Sequence, residues 1–275
     1  MGEVAIGSYG LLYLYDDEDP IKDNSFKVYR LCKGKVVEFD DQLLSPFKPT
    51  IEEEFLLFAI TDYIILGEMI MIILPSTDSI YEYIKEDDVI DYSNEIIAEL
   101  ADSLFQKIDN EIEYIKAAYE YVRDNISHSA DINEDIITCT ASEVLKAGHG
   151  ICFAKSHLLA ALLRCKSIPT GFCYQKLILD DETAPVLIYH GLNGVYIKEY
   201  KKWIRLDARG NKEGVNAQFS IETEQLAFPI RPEKGETDSF IVYPDPDIKV
   251  LEKLRKCNTR TELWDDLPTE LGYVK

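Results

Sequence analysis

The hydrophobic positions change period along the chain. Over residues 1–50, GLLYLY and FKVYRLCKGKVVEF carry aromatic and β-branched residues broken by Gly, Asp and Pro, which predicts short strands. FLLFAITDYIILGEMIMIIL, Phe55 to Leu74, is almost wholly apolar. A membrane-spanning helix here would place Asp62 and Glu68 in lipid at a cost of about 2.5–3.5 kcal/mol each. Its flank is IEEE, without a basic anchor, so the stretch reads as buried segments broken near Thr61-Asp62 and Gly67. From Tyr92 the period becomes helical. Ser93 is the expected N-cap of a first helix bearing Ile96, Ile97, Leu100 and Leu104, and Asp109 that of a second bearing Ile112, Ile115, Tyr119 and Val122.

Thr140-Ala-Ser-Glu143 spells a capping box, in which each end satisfies the other's free amide. It starts a short helix, ASEVLKA, that Gly148 ends. The next helix begins near Cys152 and is apolar over most of its surface, so it should be central. Ile168-Pro169 leads into a strand, GFCYQKLIL, and HGLNGVYIKEYKKWIRLDARG reads as a hairpin. The expected organisation is a β-rich region over residues 1–75, a core over 76–243, and a helix with a tail over 244–275.

Composition narrows the function. The chain has 275 residues, 46% of them hydrophobic, enough to bury a real core. Fifty acidic against 29 basic residues give a net charge of −21, which argues against a nucleic-acid partner. The N-terminal sequence lacks the pattern of a signal peptide, and the six cysteines have no CxxC spacing. Scattered cysteines without such a signal lead to the expectation of a reducing cytoplasm, with no membrane partner. No metal-binding spacing or calcium loop is present, and no cofactor is expected.

Of the cysteines, Cys152 alone stands at the start of a helix, where the amides present roughly half a positive charge to a thiolate. Gly148 and Gly150 suggest room for a substrate backbone, and the Cys152 amide is a candidate oxyanion donor. Among the four histidines, His157 lies about 140° around the helix from Cys152 and reads as structural. His149 is near the cysteine but in a turn, His128 reads as a loop residue, and His190 opens a strand. Asp207 can orient His190. If the hairpin turn centres on Lys198-Glu199, the two are directly opposite; if on Glu199-Tyr200, they are diagonal. Both registers keep them on one face, and a slip of one residue would separate them. Spacing therefore permits the pair without requiring it. The alternative is a buried cysteine beside a hairpin with two polar residues.

The block TASEVLKAGHGICFAKSHLLAALLRCKSIPTGFCYQKL, followed by HGLNGVYIKEYKKWIRLDARGNKEGVNAQFS, resembles the transglutaminase-like superfamily, and looks closest to its bacterial cysteine proteases. The resemblance covers about half of the chain, roughly Ile90 to Phe228. It rests on Gly-x-Cys at the core helix, the Ile-Pro exit, the His opening a strand and Trp-x-x-x-Asp on the next. It implies an α+β, papain-like fold: a nucleophile helix packed on an antiparallel sheet. It assigns Cys152 as nucleophile, His190 as base and Asp207 as orienter, acting on a peptide or protein amide through a thioester. Hydrolysis is the expected outcome. Transamidation by the same residues, acyl transfer from a thioester donor as in arylamine N-acetyltransferases, and a non-catalytic binding module are the alternatives. Animal members carry an oxyanion-stabilising Trp upstream; here the tryptophans are Trp203 and Trp264. Gln175 and Tyr174 are the substitute candidates, with His149, Arg209 and Asn211 as further candidates for substrate contact.

Overall fold

The computed structural model describes residues 3–7, 11–15, 26–32, 35–39, 73–106, 108 and 110–273. The chain divides into two units, Met1–Ile72 and Ile73–Lys275. Most of the apolar stretch from Phe55 lies outside the described residues. Among those described, no helix is long and apolar enough to cross a membrane.

The first unit contains the strands expected from its aromatic and β-branched runs. They are β1 (Glu3–Gly7), β2 (Leu11–Tyr15), β3 (Phe26–Cys32) and β4 (Lys35–Phe39). They form an antiparallel sheet in chain order, with Val4 opposite Leu14, Leu12 opposite Tyr29 and Arg30 opposite Val37.

The second unit begins with β5 (Leu74–Pro75), a 3-10 turn over Ile80–Ile84, and helices α1 (Glu95–Phe105) and α2 (Glu111–Asn125). Both helices start one residue later than the sequence suggests. Asn94 and Asn110, not Ser93 and Asp109, supply the caps, accepting from the amides of Ile96 and Glu113. Asn caps at least as well as Ser or Asp, so propensity could not separate these neighbours. In α1 the buried positions are Ile97 and Ala101, while Ile96 is exposed.

Then come β6 (Ser127–His128), α3 (Ala141–Ala147), β7 (His149–Gly150) and α4 (Cys152–Arg164). The capping box at Thr140 and Glu143 forms as expected, and Gly148 closes α3 at φ 73°, a conformation glycine adopts without a steric penalty. Every residue of α4 from Phe153 to Arg164 is buried; Cys152, at its head, is only partly so. Even Arg164 is enclosed, its guanidinium donating to the carbonyls of Thr170, Lys85 and Pro244.

Against α4 lies an antiparallel sheet of β8 (Thr170–Asp180), β9 (Ala184–Ile197), β10 (Lys202–Leu206) and β11 (Thr237–Asp238), in the order β10-β9-β8-β11. β12 (Ile241–Val242) pairs in parallel with β5, and β6 with β7. Helices α5 (Ile248–Lys256) and α6 (Arg260–Trp264) close the unit, burying Val250, Leu251, Leu254 and Leu263 in the main core. This is the mixed helix-and-antiparallel-sheet architecture that the resemblance implied.

One contact sets the distance between helix and sheet. A Cβ added to Gly191 would fall 2.5 Å from Phe153 Cδ1 and 3.4 Å from Phe153 Cα. The first turn of α4 therefore rests on bare backbone beside His190. We predict that Gly191→Ala lowers stability by about 1–3 kcal/mol, the usual cost of overpacking, read as a lower Tm. An unchanged Tm would mean that α4 can shift without cost.

Candidate active site

The nucleophile candidate stands where backbone amides converge. Ile151 is the N-cap residue of α4 and has no side chain able to cap, so the first-turn amides keep their partial positive charge for whatever lies at the helix head. The turn before it is held by β6: His128 lies opposite Gly150, and the amides of Ser127 and Ser129 donate to Gly148 and Gly150. Gly150 does not open an approach for substrate. A Cβ there would meet Thr138 Oγ1 at 3.1 Å and Ala154 Cβ at 3.2 Å, so this glycine lets the turn pack tightly.

The sheet supplies the second half. Lys202 pairs with Ile197 and Trp203 with Tyr196, so the hairpin has the second of its two allowed registers. Asp207, one residue beyond β10, is therefore diagonal to His190. His190 Nε2 donates to Asp207 Oδ2 at 2.8 Å, with both side chains almost sealed from solvent. Asp207 also accepts from the amides of Arg209 (3.0 Å) and Ala227 (3.1 Å). Phe228 sets its ring edge-on to the imidazole, 5.2 Å between centroids.

Burial works against charge on both groups of this pair, and it is outweighed on both. The Asp207 carboxylate, the adjoining Cys152 and the hydrogen bonds to them raise His190 to about 10. The imidazolium and its hydrogen bond, with the amides of Arg209 and Ala227, hold Asp207 below the usual carboxylate range. The pair is thus an imidazolium and a carboxylate at neutral pH, with Cys152 beside the ring.

The remaining candidates divide by what already holds them. Gln175 is opposite His190 across the β8–β9 ladder, but its Nε2 donates to Asp238 Oδ2 at 2.8 Å. Asp238 is in turn paired to Arg205, which also grips Glu224. Tyr174 turns its hydroxyl to the C-terminal segment, accepting from the Asp247 amide at 2.8 Å. Asn211 is bound on both sides of its amide by the backbone of Ala217, shaping the loop. Arg209 makes a two-pronged ion pair with Asp131. His149 Nδ1 is 3.0 Å from Ser129 Oγ. His157 is structural as expected, fully enclosed and 2.7 Å from the Cys139 carbonyl.

Two groups beneath the site had no signal in sequence spacing. Lys155 is fully buried, donates to the carbonyls of Ile126 and Arg123, and is pushed down to about 7 by burial, with Arg209 adding to the effect. Its place in the apolar run FAKSHLL was a hint of burial. His128 is a strand residue rather than a loop residue, and 8% exposed. Only the β6–β7 pairing brings it to the helix head.

Residues 98–208 match the family model of the transglutaminase-like superfamily. Over that segment the chain is similar to that superfamily. The matched segment holds α4, β8, β9 and β10, and so Cys152, His190 and Asp207. Residues 1–53 match a second family model, Immunity protein 7. No curated protein matches the chain. Among solved structures it is similar to one titled “Putative Cysteine Protease from Cytophaga hutchinsonii”, at 21% identity and TM-score 0.39, covering 48% of this chain and 43% of that one. A “putative protease from Parabacteroides distasonis” shares 17% identity at TM-score 0.32, covering 54% and 30%. A third, titled “Crystal structure of a TGase”, shares 16% at TM-score 0.31, covering 62% and 41%. The chain spans less than half the length of each of these three structures.

The five cysteines whose side chains are described are free thiols. Burial pushes Cys139 up to about 11 and raises Cys165, Cys173 and Cys257 as well. Iodoacetamide at neutral pH should therefore label Cys152 before these four, as read by peptide mass mapping; uniform slow labelling would contradict the assignment. The ion pair also gives a stability signature. His190 is raised on folding, so its contribution is complete below its unfolded value of about 6.5 and fades as pH rises through about 10. Asp207 is depressed, so its contribution is present above about 3.9 and lost as pH falls through the folded value. The Tm gap between wild type and Asp207→Asn should be larger at pH 6 than above pH 10. An equal gap at both would show that His190 carries no raised proton affinity.

Proposed function

We propose that the protein is a cysteine-dependent hydrolase of amide bonds in a peptide or protein, acting through a thioester on Cys152. The observation that carries this reading is the buried His190–Asp207 pair beside a cysteine at an uncapped helix N-terminus. The match of residues 98–208 to the transglutaminase-like superfamily supports it.

In this reading the Cys152 thiolate attacks the substrate carbonyl carbon, a C–S bond forms, and the carbonyl electron pair moves onto oxygen. Collapse of that tetrahedral species breaks the C–N bond, and the imidazolium of His190 gives its Nδ1 proton to the departing amine. The neutral imidazole then takes a proton from water as the water attacks the thioester. Collapse of the second tetrahedral species breaks the C–S bond, the acyl group leaves as a carboxylic acid, and the Cys152 thiolate is released beside the His190 imidazolium, restoring the starting pair. Asp207, bound to Nε2, holds the ring's orientation and stabilises its charge through both halves. The net charge of −21 favours a peptide or protein substrate over nucleic acid. The chemistry is assigned to the second unit alone.

A peptide library incubated with wild type and Cys152→Ala, with and without a primary amine, tests the proposal. Wild type should release new carboxylic acids or ammonia, and Cys152→Ala should lose about ten-thousandfold or more of that rate. Incorporation of the amine in place of water would replace hydrolysis with transamidation. No turnover by wild type under either condition would contradict a catalytic role.

A further inference from the structure

The amide hydrolase reading leaves one need unmet: a side chain to stabilise the oxyanion. Four of the sequence candidates are occupied. Gln175 Nε2 donates to Asp238, the Tyr174 hydroxyl is held at the C-terminal segment where it accepts from the Asp247 amide, Asn211 is held by Ala217, and His149 Nδ1 lies against Ser129. His128 is not. It is 8% exposed, and its Nδ1 is sealed from solvent without a hydrogen-bond partner. A buried polar atom left unpaired costs about 1–3 kcal/mol, and such groups in folded proteins call for an explanation.

Its position supplies one. β6 locks His128 opposite Gly150, two residues before the nucleophile, and the Ser129 amide donates to Gly150 at 3.1 Å to hold the strand in place. The ring is close enough to His190 for the two to affect each other's charge. Resting on the acyl-transfer reading of the site, we propose that His128 donates a hydrogen bond to the oxyanion formed when Cys152 attacks a carbonyl.

The surrounding charges suit that task. Burial, and after it the cation of Arg209, push His128 down to about 3, with Lys155 and His190 acting in the same direction and Asp131 against it. The ring is therefore neutral at working pH and keeps one N–H. It can donate as charge builds on the carbonyl oxygen, and it does not compete with His190 as the acid. Neutral histidines serve as such donors elsewhere, and fixed donors of this kind act on charge that develops only in the transition state. No proton needs to move from His128. The uncapped amides at the head of α4 supply the second donor.

Two probes separate this role from a structural one. Alkylation of Cys152 by iodoacetamide displaces iodide at a saturated carbon and forms no oxyanion. Acylation by p-nitrophenyl acetate forms one. His128→Phe, which fills the space without a donor, should slow acylation about 100- to 1000-fold while alkylation stays within about threefold of wild type. His128→Gln, which restores an N–H, should recover at least about tenfold of the acylation rate. Equal loss of both reactions in both variants would overturn the proposal in favour of a packing role, and unchanged acylation would overturn it outright. A wild-type Cys152 inert to both reagents would instead overturn the hydrolase reading, and the inference with it. The two failures are distinguished by the wild type alone.

Discussion

The site depends on an ion pair removed from water. His190 and Asp207 are both buried, and enclosing two charges costs several kcal/mol before their attraction repays it. The surroundings show how the cost is met. Asp207 receives two backbone amides as well as the imidazole, and the aromatic edge of Phe228 closes over the ring. A hydrophobic replacement would serve stability as well or better. What the charges provide is an imidazolium that survives at neutral pH beside a cysteine. The pair is better explained by chemistry than by folding.

The rest of the unit keeps three short segments in register around that pair. α4 brings Cys152 forward from an apolar helix, and Gly191 allows its first turn to lie against the His190 strand. β6 and β7 fix the turn before Cys152 and hold His128 opposite Gly150. The Asp131–Arg209 ion pair ties the segment after β6 to the loop whose amide binds Asp207, and so links the cysteine half of the site to the histidine half. Lys155, buried three residues after Cys152, anchors the end of α2 through the carbonyls of Arg123 and Ile126.

Much of this was legible in the sequence because it is local. The capping box at Thr140 and Glu143, the αL glycine at 148, the apolar helix from Cys152 and the hairpin are patterns of a few residues, and each formed. The two-residue alternation also puts His190 and Asp207 on one face in both hairpin registers weighed from the sequence, while a slip of one residue would part them. What failed was non-local. Tyr174 and Gln175 are on a suitable strand, but residues more than sixty positions away hold both: Asp238 accepts from the Gln175 amide, and the Asp247 amide donates to the Tyr174 hydroxyl at the C-terminal segment. Gly150 suggested an open approach, yet Thr138 and Ala154 press against it. His128 looked like a loop residue because a two-residue strand leaves no periodicity to read. The caps of α1 and α2 fall one residue later than the sequence suggests because Ser-Asn and Asp-Asn offer two good caps in succession.

The most direct test of the account is an NMR titration of His190 in the intact protein, with Asp207→Asn as the reference. Wild-type His190 should stay protonated through neutral pH and titrate near 10, and in the Asn variant it should titrate well below this. A wild-type His190 that loses its proton near the ordinary histidine value of about 6.5, or titrates identically in both proteins, would contradict the claim that the buried carboxylate holds an imidazolium beside Cys152.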